Sequence, residues 1–389
     1  MVTQTASTAH ASLTGMRVVE LGSSVAAPYA TWVMAQLGAE VIKVEPPGRG
    51  DDARYWGKFL PNGSSSYFNA LNRDKLGITV DLKDPDDLQW LKDYCAREVD
   101  VVIQNMRPGR ASKYGLGGED LTVANPQLIY CNLWAFGSHG PLKDNPGYDP
   151  LMQAYGGIMS ITGNENEAPI RVGTSIVDMG TGLWCVIGIL NALAVQRETG
   201  RGCIVDASLY ETAVAWMTNS VASVGVDGER PLKQGSGARG IAPYQAYKCK
   251  DGYLVIAAPN NRLFGRLTKI LGHPEWSDDQ RFDNNPNRYA NLNELNELME
   301  PVIEEQTRAH WQNALDEVGV PSAPVQTVPE MMQNPQTEAL GMLQNIDEGI
   351  KLMAMPLSFN GVRPPLRHYA PALGEHNAMV KGSQTRGKE

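Results

Sequence analysis

Asp178 is the residue of this chain whose surroundings best suit covalent chemistry. It follows an apolar pair, Ile176-Val177, and precedes Met179-Gly180-Thr181-Gly182-Leu183-Trp184. The pair reads as the end of a short strand, and the glycines open a long apolar helix. A carboxylate at such a junction suits two roles. As an N-cap it accepts bonds from free backbone N–H groups and complements the helix dipole. As a partly desolvated group it serves as a nucleophile or acid–base catalyst. The roles are compatible, and the local sequence leaves both open.

No competing catalytic set is visible. A Ser–His–Asp pattern and GxSxG are absent, so chemistry has to rest on carboxylates. The five cysteines (Cys95, Cys131, Cys185, Cys203, Cys249) are scattered without a CxxC pair. They read as small core residues in a reducing compartment, which points to the cytoplasm. The six histidines form no HExxH or Cys/His cluster, so no metal site is expected. The turn Gly22-Ser-Ser-Val-Ala-Ala-Pro28 is not GxGxxG, and GxxxxGK[ST] is absent. Arg107 and Lys113 follow a strand end beside Pro108-Gly109, where they suit phosphates or remain solvated loop charges. The stretch Gly235-Ser-Gly-Ala-Arg-Gly240 suits a mobile loop over a site or an interdomain linker.

The elements that must position these residues are strand–helix alternations. Arg17 to Leu21 reads as a strand, Pro28 opens a helix to about Leu37, and Glu40 to Glu45 is the next strand. Further strands are expected over 77–81, 99–104, 128–133 and 203–207, with a polar helix over 85–97. This pattern predicts an α/β fold with an open parallel Rossmann-like sheet. Ligands of such sheets sit beyond the carboxyl ends of the strands, so loops 22–27, 46–54, 105–113 and 134–149 are the candidate site. Asp149 reads as the N-cap of a helix with Pro150 in its first turn, and 209–224 reads as one helix.

Length and composition set the frame. A chain of 389 residues suits two domains. Residues 1–12 read as disordered, 13–225 as the large α/β domain, and 226–328 as a smaller α+β domain with a hairpin at 244–257. Residues 329–389 lack a core of their own and are expected to pack back on another domain or subunit. The net charge of −9 argues against non-specific nucleic-acid binding. The longest apolar run, Gly182 to Val195, reads as a buried helix too short for a membrane span.

Several segments together resemble class III CoA-transferases, the group of formyl-CoA transferase and carnitine CoA-transferase. They are Leu13–Leu21, Ala27-Pro28, Leu37–Glu45, Asn72-Arg-Asp-Lys75, Asn105-Met-Arg-Pro-Gly109, Asn125-Pro126, Gly147-Tyr-Asp149, Val177–Gly182, Glu198–Gly202 and Gly374-Glu-His376. They cover nearly the whole chain in order. The resemblance implies an interlocked homodimer and no metal. It implies that Asp178 attacks an acyl-CoA thioester to form an aspartyl anhydride, then an aspartyl-CoA thioester, before coenzyme A leaves on a small carboxylic acid. It maps coenzyme A binding onto Val25, Ala26, Lys75, Asn105, Met106, Arg107, Lys113, Tyr148 and Asp149, and a flap onto Gly235, Gly237, Arg239 and Gly240. Gly180 and Gly182 are expected to leave room for coenzyme A. Pro46 stands where formyl-CoA transferase has an arginine, with Arg49 or Arg54 as replacements. Arg239 is a candidate for a substrate carboxylate, which points to a dicarboxylic acid.

Three other readings have distinct signatures. A racemase of the alpha-methylacyl-CoA type would place histidine where this chain has Tyr148, and His139 lies in a different loop. A nicotinamide-dependent oxidoreductase would carry GxGxxG. A non-catalytic coenzyme A binder would not need Asp178.

Overall fold

The computed structural model describes residues 11–346 and 350–382. The expected disordered N-terminus lies outside these residues except for Ala11 and Ser12, and the tail beyond 382 lies outside them altogether. The chain forms two compact units. The first is built from the described parts of Met1–Ile158, Arg171–Asp227 and Pro335–Glu389, the second from Met159–Ile170 and Gly228–Asn334.

In the first unit the strands are β1 (Arg17–Leu21), β2 (Glu40–Glu45), β3 (Leu76–Thr79), β4 (Val101–Gln104), β5 (Ile129–Trp134) and β6 (Ile204–Ser208). They form one sheet in the order β3-β2-β1-β4-β5-β6, and every pairing is parallel. The helices of this unit include α1 (Ala26–Gln36), α2 (Ser66–Asn72), α3 (Pro85–Glu98), α4 (Arg110–Lys113), α5 (Gly118–Ala124) and α6 (Asp149–Tyr155). After α7 (Ile158–Ile161) come α8 (Ile176–Thr199), α9 (Leu209–Ala215) and α10 (Thr218–Asp227). The central strands are Val- and Ile-rich because both faces are covered. Val18, Val41, Val101 and Ile103 face α1 and α8, while Val19, Ile42, Ile78 and Val102 face α3. Strand order reverses between β1 and β4, so the loops after these strands part and leave a crevice.

α1 and α8 cross at very short range. A Cβ on Gly182 would stand 2.8 Å from Ala26 O and 3.2 Å from Ala30 N. A Cβ on Gly180 would meet Trp216 at 2.8 Å and Thr212 at 3.1 Å. Both glycines therefore serve packing, which corrects the expectation that they open space for coenzyme A. α8 has 24 residues and, by length and composition alone, could cross a membrane; half of its most apolar window is buried. The run expected to be too short thus belongs to a longer helix whose residues Val177, Cys185, Val186 and Ile189 fill the core.

Other local expectations change. The segment before α8 is not a strand, because its backbone bonds go elsewhere: Val172 N–H donates to Gln153 Oε1 at 2.8 Å. The helix expected over 209–224 is two, α9 and α10, separated at Trp216-Met217. The C-terminal segment packs on the sheet edge and α2: His376 N–H donates to Gly77 O, and Asn377 Oδ1 accepts from Thr79 N at 2.8 Å.

The second unit holds β7 (Tyr244–Cys249), β8 (Gly252–Ala257) and β9 (Ser322–Pro324) in an antiparallel sheet. Amphipathic helices cover it with a core of Tyr247, Leu254, Ile256, Phe264 and Leu295. Residues 159–170, expected in the large domain, belong here. Lys233 explains why: its N–H meets Glu165 Oε2 at 2.9 Å and its ammonium meets Glu167 O at 2.9 Å.

Candidate active site

A cavity of about 560 Å³ lies beyond the carboxyl ends of β1 to β5. It is lined by the loops after all five strands and by Asp178. Of the sequence-predicted residues, Val25, Ala26, Asn105, Met106, Arg107, Tyr148 and Asp178 come together on its wall. Asn105 locks the crevice where strand order reverses. Its Nδ2 donates to Ser23 O at 2.8 Å, and its Oδ1 accepts from Ser23 N at 3.0 Å.

Asp178 lies in the first turn of α8, but it is not the cap. The helix begins after Ser175, which makes no side-chain cap bond. The cap comes from α6. Asp149 Oδ2 accepts the N–H groups of Val177 at 2.8 Å and Asp178 at 3.2 Å. Asp149 Oδ1 accepts from Gln153 Nε2 at 2.5 Å, which fixes its orientation. Asp149 is buried, lies within α6 instead of preceding it, and does not line the cavity. Its expected roles as cap of its own helix and as a coenzyme A contact are thus replaced by capping α8. Burial, and then the nearby charge of Asp149, push the Asp178 carboxyl up to about 7.

Five carboxylates line the cavity, and four of them are engaged. Glu45 accepts from Arg54, Asp51 from Lys43, and Asp81 from Lys83 N–H, while Asp52 pairs with Arg49. Among the described residues nothing donates to Asp178. The three cations on the wall, Lys83, Arg107 and Arg110, have no carboxylate partner among the described residues.

Lys75 is not on the wall. Its ammonium is fully buried and bonded to Glu20 at 2.8 Å, Pro28 O at 2.9 Å and Asn72 at 2.8 Å, so all three donors are used. Lys113 is exposed and lies off the wall, and Arg110, one turn earlier in α4, lines it instead. Arg54 is committed to Glu45 and to Pro371 O, and Arg49 does not line the cavity. Neither therefore reaches the space beside Pro46. Gly235, Gly237, Arg239 and Gly240 belong to the second unit, where Arg239 meets Glu229 at 3.3 Å. His139 is exposed and off the wall.

Sequence reasoning missed Lys83, because the loop after β3 was not among the candidate loops although the strand itself was expected. Arg110 lay within the candidate loop 105–113, where Arg107 and Lys113 were singled out instead. Among the described residues no group of His, Cys, Asp and Glu has the arrangement of a metal site.

Comparisons with known proteins agree on one family. The family model described as CoA-transferase family III matches residues 13–377. Human succinyl-CoA:glutarate CoA-transferase is 34% identical over 377 residues, which cover 95% of this chain and 85% of that protein. Succinate–glutarate CoA-transferase of Agrobacterium fabrum is 35% identical over 378 residues, covering 95% and 94%. The crystal structure of a CAIB/BAIF family protein from Brucella suis is similar with a TM-score of 0.88 at 37% identity, covering 95% of this chain and 98% of that one.

Proposed function

The chain belongs to CoA-transferase family III and is a class III CoA-transferase; from that premise we propose that it transfers coenzyme A between short dicarboxylic acids through covalent intermediates on Asp178. One observation carries the assignment: among the described residues, Asp178 alone of the cavity's carboxylates is left without a donor.

The chemistry balances without an added proton. An Asp178 oxygen attacks the donor thioester carbonyl, the C–S bond breaks, and coenzyme A leaves as thiolate. The thiolate attacks the aspartyl carbonyl of the mixed anhydride and releases the donor acid as carboxylate. The acceptor carboxylate then attacks the aspartyl-CoA thioester, and the freed thiolate takes the acceptor's acyl group from the new anhydride. Splitting the exchange into activated steps lowers each barrier. An Asp178 carboxyl near pH 7 is a stronger nucleophile once ionised than an ordinary aspartate. Asp149 fixes the backbone from which it projects.

Lys83, Arg107 and Arg110 suit the phosphates of coenzyme A, since they are basic and lack carboxylate partners. The wall runs from the β3 loop to the β5 loop, four strand spacings or about 19 Å, which suits an extended ligand. Dicarboxylate substrates are supported by the names of the human and Agrobacterium relatives. A homodimer is supported by the apolar face of α8, where Leu183, Trp184, Ile187 and Leu190 are exposed, and by α10, which buries none of its residues.

The test is incubation with a panel of acyl-CoAs followed by hydroxylamine trapping and peptide mass spectrometry. A hydroxamate on the Asp178 peptide is expected with a succinyl-type donor. Coenzyme A exchange with no adduct at Asp178 would overturn the mechanism.

A further inference from the structure

The loop after β1 is pinned at four of its backbone groups. Lys43 Nζ holds Gly22 O at 3.0 Å, Asn105 holds Ser23 N and O, and Asp51 Oδ1 accepts from Ser24 N at 3.0 Å. Ser24 needs that hold, because its φ of 69° is left-handed, a region that disfavours every residue except glycine.

Asp51 is itself fixed from all sides. Its Oδ2 meets Lys43 Nζ at 2.8 Å, its Oδ1 also accepts from Ala53 N at 2.9 Å, and its own N–H donates to Glu45 Oε2 at 2.9 Å. Lys43 is in turn bonded to Glu20 at 2.8 Å, with both side chains fully buried. Glu20 also receives Lys75, so burial is offset by two ammonium groups that hold its carboxyl down at about 2. The chain Lys75–Glu20–Lys43–Asp51–Ser24 thus leads from the interior of the unit to the cavity rim. Val25 and Ala26, the next two residues, line that rim.

We propose that Asp51 is a positioning residue for acyl-CoA binding: through the Ser24 N–H it keeps the β1 loop in the left-handed conformation whose rim receives the ligand. This rests on the acyl-CoA reading of the cavity. Asp51 takes no part in bond making, so its loss acts on binding of the coenzyme A ester and leaves the chemistry at Asp178 in place.

The test is a cycle of Asp51→Ala, Ser24→Gly and the double variant in the full-length protein. It is read as KM for the acyl-CoA, kcat, and the Kd for free coenzyme A by calorimetry. Asp51→Ala is expected to raise KM and Kd about tenfold or more, with kcat within about twofold. Ser24→Gly alone is expected to be nearly silent. Added to Asp51→Ala, it should recover much of the lost affinity, because glycine adopts positive φ without a steric cost. A general loss of stability would not be repaired by that glycine. If Asp51→Ala does not fold, Asp51→Asn carries the test: with one accepting oxygen in place of two it cannot accept from both Lys43 and the Ser24 N–H, so the hold on Ser24 weakens and a smaller rise in Kd that glycine relieves is expected. An unchanged Kd in the Asp51 variants, or a rise that Ser24→Gly fails to relieve, overturns the inference. Failure of the wild-type protein to bind coenzyme A would instead overturn the reading of the cavity.

Discussion

The Asp149 carboxylate accepts the backbone N–H of Asp178 at 3.2 Å, so one acid fixes the main chain from which another projects. The same charge stands near the Asp178 side chain and, after burial, helps raise its carboxyl to about 7. Positioning and protonation of the candidate nucleophile are therefore tied to one neighbour, and the two can be separated by substitution.

Asp178→Ala is expected to abolish coenzyme A exchange by about a thousandfold or more, with coenzyme A still bound. Exchange of labelled coenzyme A measures the first quantity and calorimetry the second. Retention of exchange would remove Asp178 from the mechanism.

Activity should follow ionisation of Asp178. The carboxylate attacks, so kcat/KM is expected to rise with pH and level off above about 7. Asp149→Asn keeps an acceptor for the two N–H groups but removes the charge, so the midpoint is expected to move to lower pH. An unmoved midpoint would assign the upward push to burial alone.

Asp178 should also weaken the fold at neutral pH. Its folded pKa of about 7 lies above the ordinary aspartate range, so between about pH 4 and 7 the native state holds a proton that the unfolded chain has lost. Stability contributed by that proton falls as pH rises through this window. Asp178→Asn is expected to raise Tm at pH 8 by a few degrees, about 1–2 kcal/mol, and to give no gain near pH 4. Thermal melts at the two pH values decide it.

Gly182→Ala is expected to cost about 2–4 kcal/mol, because the added methyl meets main-chain atoms of α1 that cannot rotate away. Denaturant unfolding measures the loss. A neutral substitution would mean that the two helices can separate at no cost.

Arg107→Gln and Arg110→Gln are each expected to raise KM for the acyl-CoA about tenfold, with the effect weakening at high salt. A pantetheine thioester lacks the nucleotide phosphates, so its KM should not respond. Equal effects on both substrates would place these arginines away from the phosphates.

The central parallel strands were legible because each is a short apolar run buried on both faces, as in Val101–Gln104, whereas the edge strand β6 is half-exposed. Asp178 was legible as the lone unassigned acid at the start of a long apolar helix. Its cap was not legible, because Asp149 lies 29 positions before Asp178 in the chain, and only the packed helices bring them together. The resemblance puts Lys75 among the coenzyme A contacts, whereas its ammonium is buried. Burial against Glu20 depends on the register of β1 and β3 relative to β2, which no local pattern encodes. Gly180 and Gly182 look like room for a ligand in a one-dimensional reading, whereas their neighbours in space are α1 and Trp216.

α1 begins at the rim that carries Val25 and Ala26 and runs beneath the helix that carries Asp178. With Gly182 holding their main chains almost in touch, these two helices act like the fixed jaws of a caliper. On the proposed assignment of Val25, Ala26 and Asp178, the span between the handle of the donor and its reactive carbonyl is gauged by main chain and not by adaptable side chains. Such a gauge accepts any acyl group hung on the same handle at the same length, so selection among acids has to be exercised elsewhere, by whatever surrounds the acyl end.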